Sequence, residues 1–336
     1  MRRALLIGFL GCVAVGWGAS IGGSEIFLKY DSLAISSWGN VYHLETLAGP
    51  KVVKSHFKVE ATSPQVIDFD MTPDGAKIIL PRLDYDGVGS VSFLKNESMQ
   101  ETVYRGFPSA GSARVTPDGK KAWVANANGR DVWVFDVGTE QLVATFEVPS
   151  FTFVTSSIRE IKFSADGKLA YLGLYYPGAV VIIDTTTYQM ITWRKLADYG
   201  PISIDVDPQG LYLYVYGSGT LSVLDPLNLT TLVAQPFQSG GLMTLSPDGK
   251  SLYMCGPGGL TAIDTQLLVG GAGTFIRAVS PLTCREDVAV TPDNLYLFVV
   301  ADHDNMYILD ATTLQIRESI AITDARRVIV KLLPRR

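Results

Sequence analysis

The chain has 336 residues, 47% of them hydrophobic and 18% charged, with 32 glycines and 17 prolines spread along its length and a formal charge of -5. This composition excludes a disordered chain and suits many short buried strands joined by tight turns in one continuous array. The acidic balance, which becomes -7 without Arg2 and Arg3, gives no broad electrostatic footprint for nucleic acid.

Residues 1–20 have the parts of a secretory signal: basic Arg2-Arg3, an apolar run from Ala4 through Val15, then small Gly16, Gly18, Ala19 and Ser20. Export is expected, and the membrane is involved only through this segment, either cleaved or kept as an anchor. Phe9-Leu10-Gly11-Cys12 is a poor lipoprotein site because its apolar stretch is short.

Beyond the leader, 33–37 and 40–45 read as two strands and 51–58 as a third, which is most of one sheet. From Val66 a unit repeats. Its ruler is the phrase Thr72-Pro73-Asp74-Gly75, which returns at Thr116, Ser164, Asp207, Ser246 and Thr291 at intervals of 39 to 48 residues. Pro presets φ, Asp fills the next turn position, and Gly or Asn takes the positive φ. Such a period belongs to four-stranded propeller blades. Third strands end in a repeated apolar-acidic pair, as at Phe135-Asp136, Ile183-Asp184, Leu224-Asp225, Ile263-Asp264 and Leu309-Asp310, with Leu44-Glu45 and an acid-free Phe93-Leu94 completing seven copies. The expectation is an all-β, seven-bladed β-propeller over residues 21–336. Its ring is closed by the C-terminal strand at 327–334 joining the N-terminal sheet; the alternative makes 25–30 a first strand of its own.

The phrase Val115 to Asn126, followed by Val132-Trp133-Val134-Phe135-Asp136 and Val143-Ala144-Thr145-Phe146, resembles the YVTN β-propeller repeat family. Leu211-Tyr212, Leu252-Tyr253 and Leu295-Tyr296 repeat the theme, so the likeness covers residues 33–334. WD40 propellers match less well, because no Trp-Asp ending or Gly-His opening recurs. The resemblance implies a secreted or periplasmic propeller of no common activity, similar to surface-layer proteins, binding proteins, lactonases and the propeller subunits of quinoprotein amine dehydrogenases.

Strand order places the loops between second and third strands on one face with the connections between blades. One channel mouth is thus expected to carry Asp84, Asp86, Asn126, Asn128, Arg130, Tyr175, Tyr176, Asp302, His303 and Asp304, joined by Arg159 and Arg285 from the connections. Asp302-His303-Asp304 has metal and general-base chemistry, yet consecutive residues in a tight turn rarely converge on one ion, so a solvated turn competes. Asp68, Asp70, Lys162, Asp205 and Asp207 alternate with apolar residues on innermost strands. They either line the channel, where a bound cation would fit, or bond backbone of neighbouring blades.

Cys255 and Cys284 come to the same face, a geometry compatible with a disulfide. Two glycosylation sequons occur, Asn96-Glu97-Ser98 and Asn228-Leu229-Thr230. No Cys-x-x-Cys-His haem motif occurs, so no cofactor is expected in this chain. The leading functional expectation is a non-catalytic exported propeller binding a protein partner or small ligand at the mouth. The alternatives are a propeller subunit of an amine dehydrogenase-like oxidoreductase and, third, a lactonase-like hydrolase.

Overall fold

The computed structural model describes residues 15–21, 24–36, 40–47, 51–58, 66, 68–82, 88–96, 98, 100–150, 157–198, 203–238, 240–284, 287–302, 305–321 and 325–332. The chain begins with β1 (Val15–Ile21), β2 (Ser24–Ser36), β3 (Asn40–Leu47) and β4 (Lys51–Lys58). Of the expected leader, residues 1–14 lie outside the described residues, and 15–20 all belong to β1.

Six antiparallel four-stranded blades follow, each running from the channel outward. The first holds β5 (Asp70–Met71), β6 (Lys77–Arg82), β7 (Ser90–Lys95) and β8 (Glu101–Arg105). The second holds β9 (Ala110–Val115), β10 (Lys121–Asn126), β11 (Asp131–Asp136) and β12 (Leu142–Glu147). The third holds β13 (Ile158–Phe163), β14 (Leu169–Leu174), β15 (Ala179–Asp184) and β16 (Met190–Lys195). Next come β17 (Ser203–Val206), β18 (Leu213–Gly217), β19 (Thr220–Leu224) and β20 (Thr231–Pro236). The fifth blade is β21 (Leu242–Leu245), β22 (Ser251–Gly256), β23 (Gly259–Asp264) and β24 (Ile276–Ser280), with the short helix α1 (Thr265–Val269) between its last two strands. The sixth is β25 (Asp287–Val290), β26 (Tyr296–Asp302), β27 (Asn305–Asp310) and β28 (Ile316–Ala321).

The expected seven-bladed count is corrected to six four-stranded blades. The N-terminal sheet has five strands instead: β1 to β4 and β29 (Ala325–Leu332). No Gly or Pro interrupts 24–36, so the two segments read separately in the sequence run as one 13-residue strand. Its first half pairs with β1 and its second half, Tyr30 to Ser36, with β29. The C-terminal strand does join the N-terminal sheet.

The turn phrase works as its chemistry requires. Gly75, Gly119, Gly167, Gly210 and Gly249 have φ between 70° and 73°, and Asn294 has 62°. In the second blade the Thr116 hydroxyl donates to Asp118 Oδ1 at 2.6 Å and accepts the Lys121 N–H at 3.0 Å, closing the loop on itself. Successive phrases also stack: a Cβ on Gly119 would lie 3.2 Å from Pro73 Cδ, and one on Gly167 3.5 Å from Pro117 Cδ. The acids ending third strands are turn starters. Asp184 Oδ1 accepts the N–H groups of Thr186 and Thr187 at 2.9 and 2.7 Å, and Asp264 caps α1 through Gln266 and Leu267.

The core lies between blades. Trp123, Val134, Leu172 and Val181 belong to one apolar cluster spanning the second and third blades, and Tyr253, Leu260, Leu297 and Leu309 to another spanning the fifth and sixth. Each blade thus buries its face against the next, which is the only way such narrow sheets remove their apolar side chains from water.

Candidate functional site: the central channel and its mouth

Every innermost strand has an open edge at the channel, whose N–H groups need acceptors. For blades two, four and five the preceding blade supplies them. Asp70 Oδ2 accepts the Val115 N–H at 2.8 Å, and Asp68 Oδ2 accepts from Ser112 Oγ at 2.9 Å and Arg114 Nη1 at 2.7 Å. Glu160 Oε2 accepts from Ile204 N at 2.8 Å, Ser203 Oγ from Met243 N at 3.1 Å, and Asp205 Oδ2 from Leu245 N at 2.6 Å. The same contact carries blade six to the C-terminal strand, where Asp287 Oδ2 accepts from Val328 N at 3.1 Å.

Two cations sit among these acids. Arg114 Nη2 lies 3.9 Å from Glu160, and Lys162 Nζ lies 3.8 Å from Glu160 and 3.3 Å from Asp205. Burial pulls the Lys162 ammonium down, but the Asp205 and Glu160 carboxylates outweigh it and leave its pKa above the usual lysine value. Asp68, Arg114, Glu160, Lys162 and Asp205 therefore form a ladder of alternating sign that binds blades one to four together. Of the two expectations for the channel acids, bonding to neighbouring backbone describes Asp68, Asp70 and Asp205. Asp207 instead caps its own turn at Gln209 and Leu211.

At the mouth, Asp84, Asp86, Arg285, His303 and Asp304 lie outside the described residues, and Asp302 ends β26 opposite Asn305. Asn126, Asn128 and Arg130 share one loop and hold it closed: Asn126 donates to Asp131 Oδ2 at 3.0 Å and accepts the Asn128 N–H at 2.9 Å, Asn128 donates to Ser109 Oγ, and Arg130 pairs with Glu147 at 2.8 Å.

The third blade bulges where the second does, at Gly111, but places a charged residue in the bulge. Residues Ile158 and Glu160 pair with adjacent Leu174 and Gly173, so Arg159 is the extra residue of a β-bulge in the innermost strand. Bulges turn a side chain out of the sheet. Arg159 is exposed, and its guanidinium lies 5.2 Å from the Tyr175 ring centroid. Tyr176 meets Tyr175 edge to face at 4.7 Å and is itself 37% exposed. Among the described residues no carboxylate pairs with Arg159. Two residues earlier, Ser157 is 7% exposed and its Oγ has no hydrogen-bond partner, while its carbonyl accepts the Tyr175 N–H at 2.9 Å. Sequence reading named Arg159, Tyr175 and Tyr176 and missed Ser157. The bulge had a signal: Ile158 and Ile161 are both buried but three apart, where an unbroken strand needs an even spacing.

The opposite face carries a cleft of about 460 Å³ between the first two turn phrases, lined by Asp74, Lys77, Asp118, Lys120 and Asp136. Lys77 spans it to Val137 O at 2.6 Å and Glu140 at 2.8 Å. Its acids are held below the ordinary carboxylate range by their turns: Asp74 by the Thr72 hydroxyl and the Ala76 amide, Asp118 by the Thr116 hydroxyl, Asp136 by the Thr139 amide and hydroxyl. Among the described residues no group of three or more His, Cys, Asp or Glu could hold a metal ion.

This architecture recurs in solved structures. The periplasmic gluconolactonase of Pseudomonas aeruginosa is similar at TM-score 0.71 and 15% identity, over 91% of this chain and 100% of that one. A functionally unknown protein of Desulfotomaculum acetoxidans matches at 0.73 and 12%, over 90% and 99%. Hydrazine synthase of Kuenenia stuttgartiensis matches at 0.60 and 22%, over 76% and 79%. This chain shares their fold. No protein-family model and no curated protein matches it, so the likeness to YVTN repeats remains one of phrases. Identities this low carry architecture and no activity.

Proposed function

We propose that this chain is an exported binding propeller, without catalysis of its own, that takes its ligand or partner at the channel mouth beside Arg159, Tyr175 and Tyr176. One observation carries the reading: a bulge lifts Arg159 out of the innermost strand and leaves it exposed on an aromatic shelf without an acidic partner among the described residues. A merely structural arginine in such a strand is better served by the ladder that holds Arg114.

The channel argues against hydrolysis by this chain. A general acid and base need carboxylates with opposed protonation and room for a substrate. Here Asp68, Asp70, Glu160, Asp205 and Asp287 accept backbone N–H groups of the next inner strand. Export is supported by the basic and apolar start of the sequence and by the Cys255–Cys284 disulfide, a bond that persists in oxidising compartments. No described helix is long and apolar enough to cross a membrane.

The test pairs two assays on the purified chain. Binding is followed after native purification, by whether bound material is released on Arg159→Gln; hydrolysis is followed with an aldonolactone. Lactone turnover that disappears in Asp205→Asn would replace this reading with the hydrolase.

A second reading, a propeller subunit within a larger oxidoreductase assembly, rests on the likeness of the repeat phrases to amine dehydrogenase propeller subunits. It predicts a copurifying chain with cofactor absorbance, since this sequence has no haem attachment motif of its own.

A further inference from the structure

We propose that the Arg159 shelf is a carboxylate site and that its ligand is a small organic monocarboxylate bearing a flat ring. The proposal rests on the mouth reading above and names the chemistry of what binds there.

The shelf has three parts, and each selects for one feature. The guanidinium carbon lies over the Tyr175 ring, 5.2 Å from its centroid, and a guanidinium carries paired N–H groups along its edge. That edge matches the two oxygens of a carboxylate in a bidentate pair. Arg159 has no such pair among the described residues, although charged side chains elsewhere around this mouth do: Arg130 holds Glu147, and Lys195 holds Asp198.

Ser157 supplies the second part. A buried hydroxyl without any partner, on a residue only 7% exposed, is uncommon in a native structure and calls for an explanation. It lies on the same strand entry as Arg159, and its own carbonyl is tied to Tyr175. A ligand oxygen that reaches past the guanidinium would satisfy it.

Tyr176 is the third. Set at 88° to Tyr175 with centroids 4.7 Å apart, it extends the shelf with a ring that is 37% exposed. A ring attached to the carboxylate would pack there in offset or edge-on aromatic contact.

Charge distinguishes a carboxylate from a phosphate. Among the described residues the inner strands carry the carboxylates Asp68, Asp70, Glu160, Asp205 and Asp287 against the cations Arg114 and Lys162. A single guanidinium beside that excess of negative charge holds a monoanion better than a dianion, because each added negative charge is repelled within a Debye length.

The experiment is calorimetric titration of the full chain with benzoate, acetate and inorganic phosphate. Benzoate is expected to bind, with acetate and phosphate each weaker by about tenfold or more. Arg159→Gln should abolish benzoate binding. Tyr176→Ala should weaken benzoate while leaving acetate unchanged. Lys168→Gln, the same charge change on the opposite face, should leave both unchanged; circular dichroism of each variant verifies the fold. Absence of benzoate binding in the wild type, equal affinity in Arg159→Gln, or tighter binding of phosphate would each overturn the proposal. If benzoate fails yet natively bound material is lost from Arg159→Gln, the mouth reading stands and the carboxylate inference falls; if Arg159→Gln changes neither, both fall.

Discussion

The Asp205 carboxylate accepts the backbone N–H of Leu245, in the next blade, at 2.6 Å, and with its other oxygen lies 3.3 Å from the Lys162 ammonium of the preceding one. One side chain therefore links three consecutive blades. Replacing it with alanine leaves a channel-edge amide without its acceptor and Lys162 with Glu160 alone. Breaking a partly buried pair of this kind and orphaning its amide costs about 2 kcal/mol, since the partner's desolvation is no longer offset. Asp205→Ala should lower the melting temperature by several degrees in scanning calorimetry, and Asp205→Asn, which keeps an acceptor, by less. Equal melting of wild type and Asp205→Ala would show that the ladder does not hold the blades together.

Much of this was legible beforehand, because a hairpin turn is a local event. Thr116-Pro117-Asp118-Gly119 carries its φ preference within four residues and its hydrogen bonds within six, Thr116 to Lys121, so the repeat could be counted from sequence alone. The blade count went astray where the evidence was not local. Whether 24–36 makes one strand or two depends on the partners offered by β1 and β29, which lie at opposite ends of the chain. The site was legible in part for the same reason. Loop position named Tyr175 and Tyr176, whereas the unpaired Ser157 hydroxyl is a property of packing and has no signature in residue order.

The Cys255–Cys284 bond has Cα atoms 5.0 Å apart and joins residues 29 apart in sequence, tying the end of β22 to the entry of β25. Closing a loop of that length should contribute about 3 kcal/mol by restricting the unfolded chain. Urea unfolding with and without reductant is the measurement: the midpoint should fall on reduction while the far-ultraviolet spectrum before the transition is preserved. Identical midpoints would show that the bond contributes nothing.

The two sequons should behave differently in a glycosylating host. Asn96 is fully buried and donates through Nδ2 to Gly75 O at 2.8 Å, so its amide is committed to the first turn phrase. Asn228 is exposed and uses only its Oδ1, toward the Thr230 N–H at 2.8 Å. Peptide mapping by mass spectrometry should find glycan on Asn228 alone in the folded product; occupancy at Asn96 would mean modification precedes formation of the first blade.

Asp310 gives a pH dependence of known sign. Its hydrogen bond from Arg317, at 2.8 Å, with those from Thr313 and Thr312, pulls its pKa down from 3.8 to about 2. A carboxyl depressed on folding stabilises the native state fully above its unfolded value near 3.9, and that contribution is lost as pH falls through about 2. Arg317 is half exposed, so solvent screening keeps the effect small. Arg317→Gln should lower the melting temperature by a few degrees at most at pH 6, and the difference from wild type should vanish near pH 2. A difference that grows on acidification would contradict the assignment.

Trp123 is fully buried between the second and third blades, edge to face with Phe146 at 5.1 Å and Phe163 at 5.3 Å, and its indole Nε1 has no partner. An unpaired buried donor costs about 1–3 kcal/mol. Trp123→Phe removes that donor together with part of the ring, so relief and lost packing oppose one another and the net change should stay within about 1.5 kcal/mol. Trp123→Ala removes the packing outright and should cost about 3–5 kcal/mol. Urea denaturation of the two variants separates the terms. If Trp123→Phe were as damaging as Trp123→Ala, the indole nitrogen would have to be held by a hydrogen bond in solution, and the apolar reading of this inter-blade core would be wrong.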